Sequence, residues 1–292
     1  MYINSDIHTR QTKKGFFNFI QMNMRQKTLF YICFSTLLLL SVLITGNLVT
    51  EGDLRVNFVD KNFQPSIDHI YGTDWFGRDM FLRTLKGLSL SIIIGALSTL
   101  GSGIIALLLG TAAAIGGKRI DSCINWLIDV IMGVPMLIFL ILISFIFGKG
   151  PQGIIIGMIL THWTYLARVI RAEVLQLKSN QYVIASRSLG KSNGYIVLHH
   201  ILPHVYPQFL VGLILMFPHT ILHEASLTFL GFGLSPHEPG IGVILSESLN
   251  YLSTGQWWIA LMPGLSLLII VRLFDILGEN VQALYNPYKA HE

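Results

Sequence analysis

Six long apolar runs, separated by polar breaks of very different length, dominate the chain: 29–49, 88–115, 123–147, 153–170, 206–234 and 257–278. About 20 apolar residues in a helix cross the hydrocarbon layer of a bilayer. No run shows the ten-residue alternation of a membrane barrel strand. Backbone in lipid must pair within its own segment, so the pattern predicts helices rather than strands. In the second run Ser98, Ser102, Ala106, Gly110 and Ala114 recur every four residues. That row puts small side chains on one face, where another helix can approach closely. Six spans also return the two termini to the same side.

Composition makes the bilayer the expected solvent. The chain has 292 residues, 52% hydrophobic and 12% charged, with a mean hydropathy of +0.59. Soluble domains carry about a quarter charged residues. The net charge of +4 reports orientation in a membrane protein and gives no reason to expect nucleic acid. Thirteen Lys and Arg fall in 1–28, at Lys118 and Arg119, in 168–204 and at Lys289, against six in the loops on the other side. This excess places both termini in the cytoplasm. The polar, basic segment 1–28 precedes a run too long for a cleaved signal peptide, so 29–49 is read as a retained span. The two cysteines, Cys33 and Cys123, suit neither a CxxC motif nor a disulfide framework.

The longest cytoplasmic loop contains QYVIASRSLGKSNGYIVLHHILPH, residues 181–204, with no acidic residue. Tyr182, Ala185, Ser186 and Leu189 recur at helical spacing. The spacing predicts a helix over 179–189, with Gly190 as a left-handed end. Ser192-Asn193-Gly194 is turn chemistry. A second helix is expected over 195–202, stopping before Pro203. The result is a short basic helix across the cytoplasmic face, suited to docking.

Several patterns resemble catalytic motifs and lack their context. Ala185–Ser192 has the spacing of a phosphate-binding loop, but Ala185 replaces its first glycine and no strand precedes it. Gly117-Lys118 is followed by Arg119 in place of the hydroxyl residue. His219 and His223 have ligand-like spacing, yet Glu224 follows them, where a zinc protease needs H-E-x-x-H. Catalytic residues and a metal site are therefore predicted to be absent. Asp129, Glu224, Arg272 and Asp275 lie in or beside apolar runs, where ionisable groups need partners or a wet cavity. His219, His223 and Glu224 are the candidates for lining a translocation path.

The loop resembles the cytoplasmic E-A-A-x3-G-x9-I-x-L-P loop of ABC-importer permeases. Ala185-Ser186, Gly190 and Leu202-Pro203 hold the spacing, while Ile184 replaces the glutamate and His200 the isoleucine. The wording is similar to the dipeptide/oligopeptide/nickel branch. YGTDWFGRDMFLRTLKG at 71–87, the D-x5-P of Asp129 and Pro135, EASLTFLGFGLSP at 224–236, and the WWIALMPGL and FDILGEN segments match the same branch in order. Ser89 and Gln282-Ala283 depart from residues common there. The resemblance implies an all-α type I ABC importer permease in the bacterial cytoplasmic membrane, with six transmembrane helices. Its expected parts are a cytoplasmic segment 1–28, a first span and outer loop 29–87, a core 88–284 and a tail 285–292. The loop at about 178–204 would couple to an ATPase through Tyr182, Ala185, Ser186, Arg187, Leu189, Gly190 and Lys191. The outer-mouth loop would use Asp74, Gly77, Arg78 and Asp79. Implied partners are a second permease subunit in a heterodimer, two ATP-binding subunits carrying ATP and magnesium, and an extracytoplasmic substrate-binding protein. The branch implies short peptides or chelates of nickel, cobalt or zinc as cargo. Ten histidines lean the expectation toward metal chelates. A membrane-embedded hydrolase and a secondary transporter are the competing classes, and no inverted repeat supports the latter.

Overall fold

A computed structural model describes residues 23–285. The segment expected at 1–28 lies mostly outside the described residues, as does the tail beyond Tyr285. Among the described residues every regular element is helical. They are α1 (Met24–Leu48), α2 (Met80–Ile115), α3 (Lys118–Met132), α4 (Met136–Phe147), α5 (Pro151–Lys178), α6 (Gln181–Ser188), α7 (Asn193–Phe229), α8 (Ile241–Leu252) and α9 (Trp258–Tyr285). Five helices are long and apolar enough to cross a membrane, or six with the bent pair α3–α4 counted as one span.

The small-residue row predicted in α2 is where the bundle closes. Ser98, Ser102, Ala106, Gly110 and Ala114 are all buried. α2 and α5 form the most extensive helix pair. Gly110 lies against the backbone of Ala167 and the side chain of Ile170. The Ser102 hydroxyl donates to the Met158 carbonyl at 3.1 Å. Lipid offers helices no hydrophobic drive to associate, so close backbone approach and interhelix hydrogen bonds hold such a pair. Lys178 at the end of α5 donates to the Ala114 carbonyl at 3.1 Å, placing a cation at the C-terminus of α2, where the helix dipole favours it.

Two expectations are corrected. The run 123–147 is two helices, bent by 95°. Gly133 ends α3 and Pro135 caps α4. Proline removes one backbone donor and clashes with a continuing helix, and it pushes the preceding Val134 out of helical geometry. The D-x5-P spacing is thus a hinge. Second, the helix expected to stop before Pro203 does not stop. A π-turn at Val197–Ile201 joins the cytoplasmic turn to the membrane span, so α7 runs unbroken past Pro203. The widened turn is one of the devices that lets a helix absorb a proline. The outer loop before α9 also holds α8, which the apolar pattern did not predict.

Candidate functional site

Three regions draw together the residues singled out in the sequence. The first is a cavity of about 910 Å³ walled by the α3–α4 hinge, α5, α7 and the cytoplasmic half of α9. Its lining is mostly apolar, with His162, His219, His223, Asp275, Gln208 and Gln282 among its polar members. His162 Nε2 lies 3.0 Å from His223 Nδ1. Glu224 is not among the cavity's lining residues: a helix turns successive residues by about 100°, and Glu224 meets Ser91 of α2. It is fully buried, accepting from the Ser91 hydroxyl at 2.6 Å and the Thr228 hydroxyl at 3.0 Å. Glu224 thus faces a different neighbour from the two histidines, as adjacent helical residues do. His162 joins them instead, from another helix and 61 residues away.

The second region is α6 and its turn. Gly190 has φ +78°. Its N–H donates to the Arg187 carbonyl at 3.0 Å and the Lys191 N–H to the Ser186 carbonyl at 3.3 Å. This is a Schellman end, which needs a left-handed residue after the helix. Tyr182, Ala185, Arg187, Leu189, Gly190 and Lys191 are exposed. Ser186 is not: it is buried beside Val183, and His200 Nε2 lies 3.2 Å from its hydroxyl. Ser186 therefore anchors α6 to α7 and takes no part in the outward face. An imidazole ladder supports the same joint. Tyr182 stacks on His204 with centroids 5.6 Å apart, and Tyr195 on His199 at 4.2 Å. Lys191 sits 4.7 Å above the Tyr195 ring.

The third region is the outer loop. Asp74 is fully buried. Its carboxylate accepts from the backbone N–H of Phe76 (2.8 Å) and Arg78 (2.9 Å), from Arg78 Nε (2.7 Å) and from Arg83 Nη1 (3.3 Å). Arg83 reaches on to Glu247 of α8 at 2.5 Å. Gly77 is buried with φ +74°, its Cα against the Asn57 carbonyl. Asp79 caps α2 by accepting from Phe81 and Leu82, and its other oxygen lies 2.8 Å from His69 Nδ1. Asp74 and Gly77 therefore build the loop from inside and cannot touch a docked protein. Sequence reasoning missed Glu247, which lies 164 residues from Arg83 in a helix with no pattern to announce it.

This arrangement, a helical membrane bundle with a short helix presented on one face and a capped loop on the other, is the architecture of a transporter subunit. Residues 106–285 match the family described as binding-protein-dependent transport system inner membrane component. The chain is 33% identical over 234 residues to the dipeptide transport system permease protein DppC of Bacillus subtilis (strain 168), covering 80% of this chain and 73% of that one. It is 33% identical over 231 residues to the oligopeptide transport system permease protein OppC of the same organism, covering 79% and 75%. A putative peptide transport system permease protein of Brucella suis biovar 1 (strain 1330) is 34% identical over 240 residues, covering 82% and 80%. Among solved structures, an inward-facing form of the MetNI methionine ABC transporter superposes with a TM-score of 0.60 at 18% identity, covering 71% of this chain and 98% of that one; this likeness concerns the fold. The chain belongs to the binding-protein-dependent inner membrane component family. It is an ABC importer permease of the peptide group, a multi-pass protein of the bacterial cytoplasmic membrane.

Proposed function

We propose that this permease forms half of the translocation pathway of an ATP-driven importer of short peptides. A second permease would supply the other half, two cytoplasmic subunits would bind and hydrolyse ATP with magnesium, and an extracytoplasmic binding protein would deliver the cargo. The observation that carries the coupling role is the exposed face of α6, fixed to α7 by Val183, Ser186 and the Gly190 turn. A rigid docked helix transmits a motor's movement to the span that continues from it.

Peptides are favoured over metal chelates for two reasons. The relatives above carry peptide-transport names. Of the described histidines, His199, His200 and His204 pack against tyrosine rings in the cytoplasmic ladder and His69 lies against Asp79, while His162, His219 and His223 gather at the cavity. Among the described residues no group of three His, Cys, Asp or Glu is spaced to hold a metal ion.

Ala185→Glu tests the coupling role, since Ala185 lies on the exposed side of α6. In the complete transporter, ATP-dependent peptide uptake should be lost while the subunit still reaches the membrane. Unchanged uptake would remove α6 from the coupling path.

A further inference from the structure

We propose that His223 is a cargo-reading residue: its Nε2 accepts a hydrogen bond from the α-ammonium of a peptide in the cavity, whose wall also carries the Asp275 carboxylate. The inference rests on the peptide reading given above.

Counting hydrogens leads there. The Thr161 hydroxyl has one proton, directed to the helical carbonyl of Gly157 at 2.9 Å, with Met158 O at 3.4 Å. Thr161 Oγ1 also lies 3.0 Å from His162 Nδ1. With the hydroxyl proton committed to the backbone, that contact is favourable only if Nδ1 carries the hydrogen. A neutral imidazole has one donor and one acceptor nitrogen, so His162 Nε2 is then an acceptor. Its partner at 3.0 Å, His223 Nδ1, must donate. By the same rule His223 Nε2 holds a lone pair. The opposite order would require the Thr161 hydroxyl to give up the Gly157 carbonyl and donate to His162 Nδ1 instead.

His223 Nε2 has no hydrogen-bond partner among the described residues, and the ring lines the cavity. His162 is held by two side-chain contacts and is only 6% exposed, so it positions His223 rather than meeting cargo. His219, one turn earlier, is exposed on the same wall. No Lys or Arg among the described residues lines the cavity, and Asp275 brings a carboxylate to it. An acceptor and a negative charge in an apolar cleft select a group rich in donors and positively charged. Every peptide with a free amino terminus offers one, whatever its side chains, so the site would read the class and not the sequence.

The test uses the complete transporter in proteoliposomes with labelled dialanine, measuring uptake per ATP hydrolysed. His223→Leu should lower this ratio about tenfold, the factor corresponding to about 1.4 kcal/mol. His223→Gln, whose amide oxygen also accepts, should recover at least about half of the wild-type ratio. His162→Phe should fall between the two. Equal ratios for wild type and His223→Leu, with dialanine still imported, would overturn this inference and leave the peptide reading intact. An equal loss in His223→Leu and His223→Gln would also overturn it, by making the ring structural. If the wild type ignores dialanine but imports a nickel–histidine complex, and His219→Ala with His223→Ala abolishes that, both readings fall.

Discussion

Asp74→Ala is the sharpest test of how the outer loop is held. The carboxylate receives four hydrogen bonds, two from backbone N–H groups and two from guanidinium groups. Truncation leaves the two N–H groups without an acceptor, and each such loss costs about 1 kcal/mol or more. It also strands Arg83, whose side chain is 5% exposed, with Glu247 as its one remaining carboxylate. Removing one partner from a buried ion pair costs about 3–5 kcal/mol. Arg78 is more exposed and recovers water, and Glu247 still neutralises Arg83, so the total stays near that range rather than doubling it. Asp74→Asn separates the contributions. Its side-chain oxygen can keep the bonds to the Phe76 and Arg78 N–H groups, but its NH2 then faces both guanidinium groups, so it should still cost the ion-pair share, on the order of 3 kcal/mol. The measurement is the free energy of unfolding of the detergent-solubilised protein in a denaturant series, with Trp75 fluorescence as the local probe once the other four tryptophans are replaced by Phe, since Trp75 stacks on Tyr251 of α8 at 4.1 Å. A loss below about 1 kcal/mol for Asp74→Ala would refute the view that this carboxylate organises the cap, and would assign it the value of a surface pair.

Three further outcomes are expected. Gly77→Ala should destabilise the same loop by about 1–3 kcal/mol, because φ is +74° and a methyl group would overlap the Asn57 carbonyl; a thermal-shift assay that finds no change would contradict the geometry. At Gly190 the surroundings are open, so strain is purely conformational. Asn, which tolerates the left-handed region, should preserve uptake, whereas Val should reduce it; the reverse ranking would point to contact rather than backbone. Glu224→Gln should stay within about 1 kcal/mol of wild type, since an amide can serve both hydroxyls, while Glu224→Leu leaves Ser91 and Thr228 without it and should cost about 1–3 kcal/mol. Comparable denaturation midpoints for the two variants would mean that the hydroxyls find other partners.

The legible features are those that the bilayer or local backbone chemistry imposes. Lipid cannot solvate an unpaired backbone group, so long apolar runs had to be helices, and the spacing of Ser98 to Ala114 had to form a close-packing face. Gly190 had to end α6, because only a residue at ease with positive φ closes that turn. The D-x5-P spacing was visible, but its consequence was not: a proline can kink, hinge or be absorbed. Pro135 breaks the third run by 95° and Pro203 is carried through a π-turn, and neighbouring packing decides between these outcomes.

What the tertiary structure alone decided was partnership. Ser186 and Ala185 are adjacent, and only the packing of α6 on α7 turns one inward and leaves the other exposed. His223 and Glu224 are adjacent too, yet one faces the cavity beside His162 and the other is sealed against Ser91. Arg83 meets Glu247 across 164 residues of chain. Local patterns encode which segments must leave water and which backbone shapes are tolerable. They carry no record of which distant side chain will stand within 3 Å, because that distance is set by how all the helices fit together.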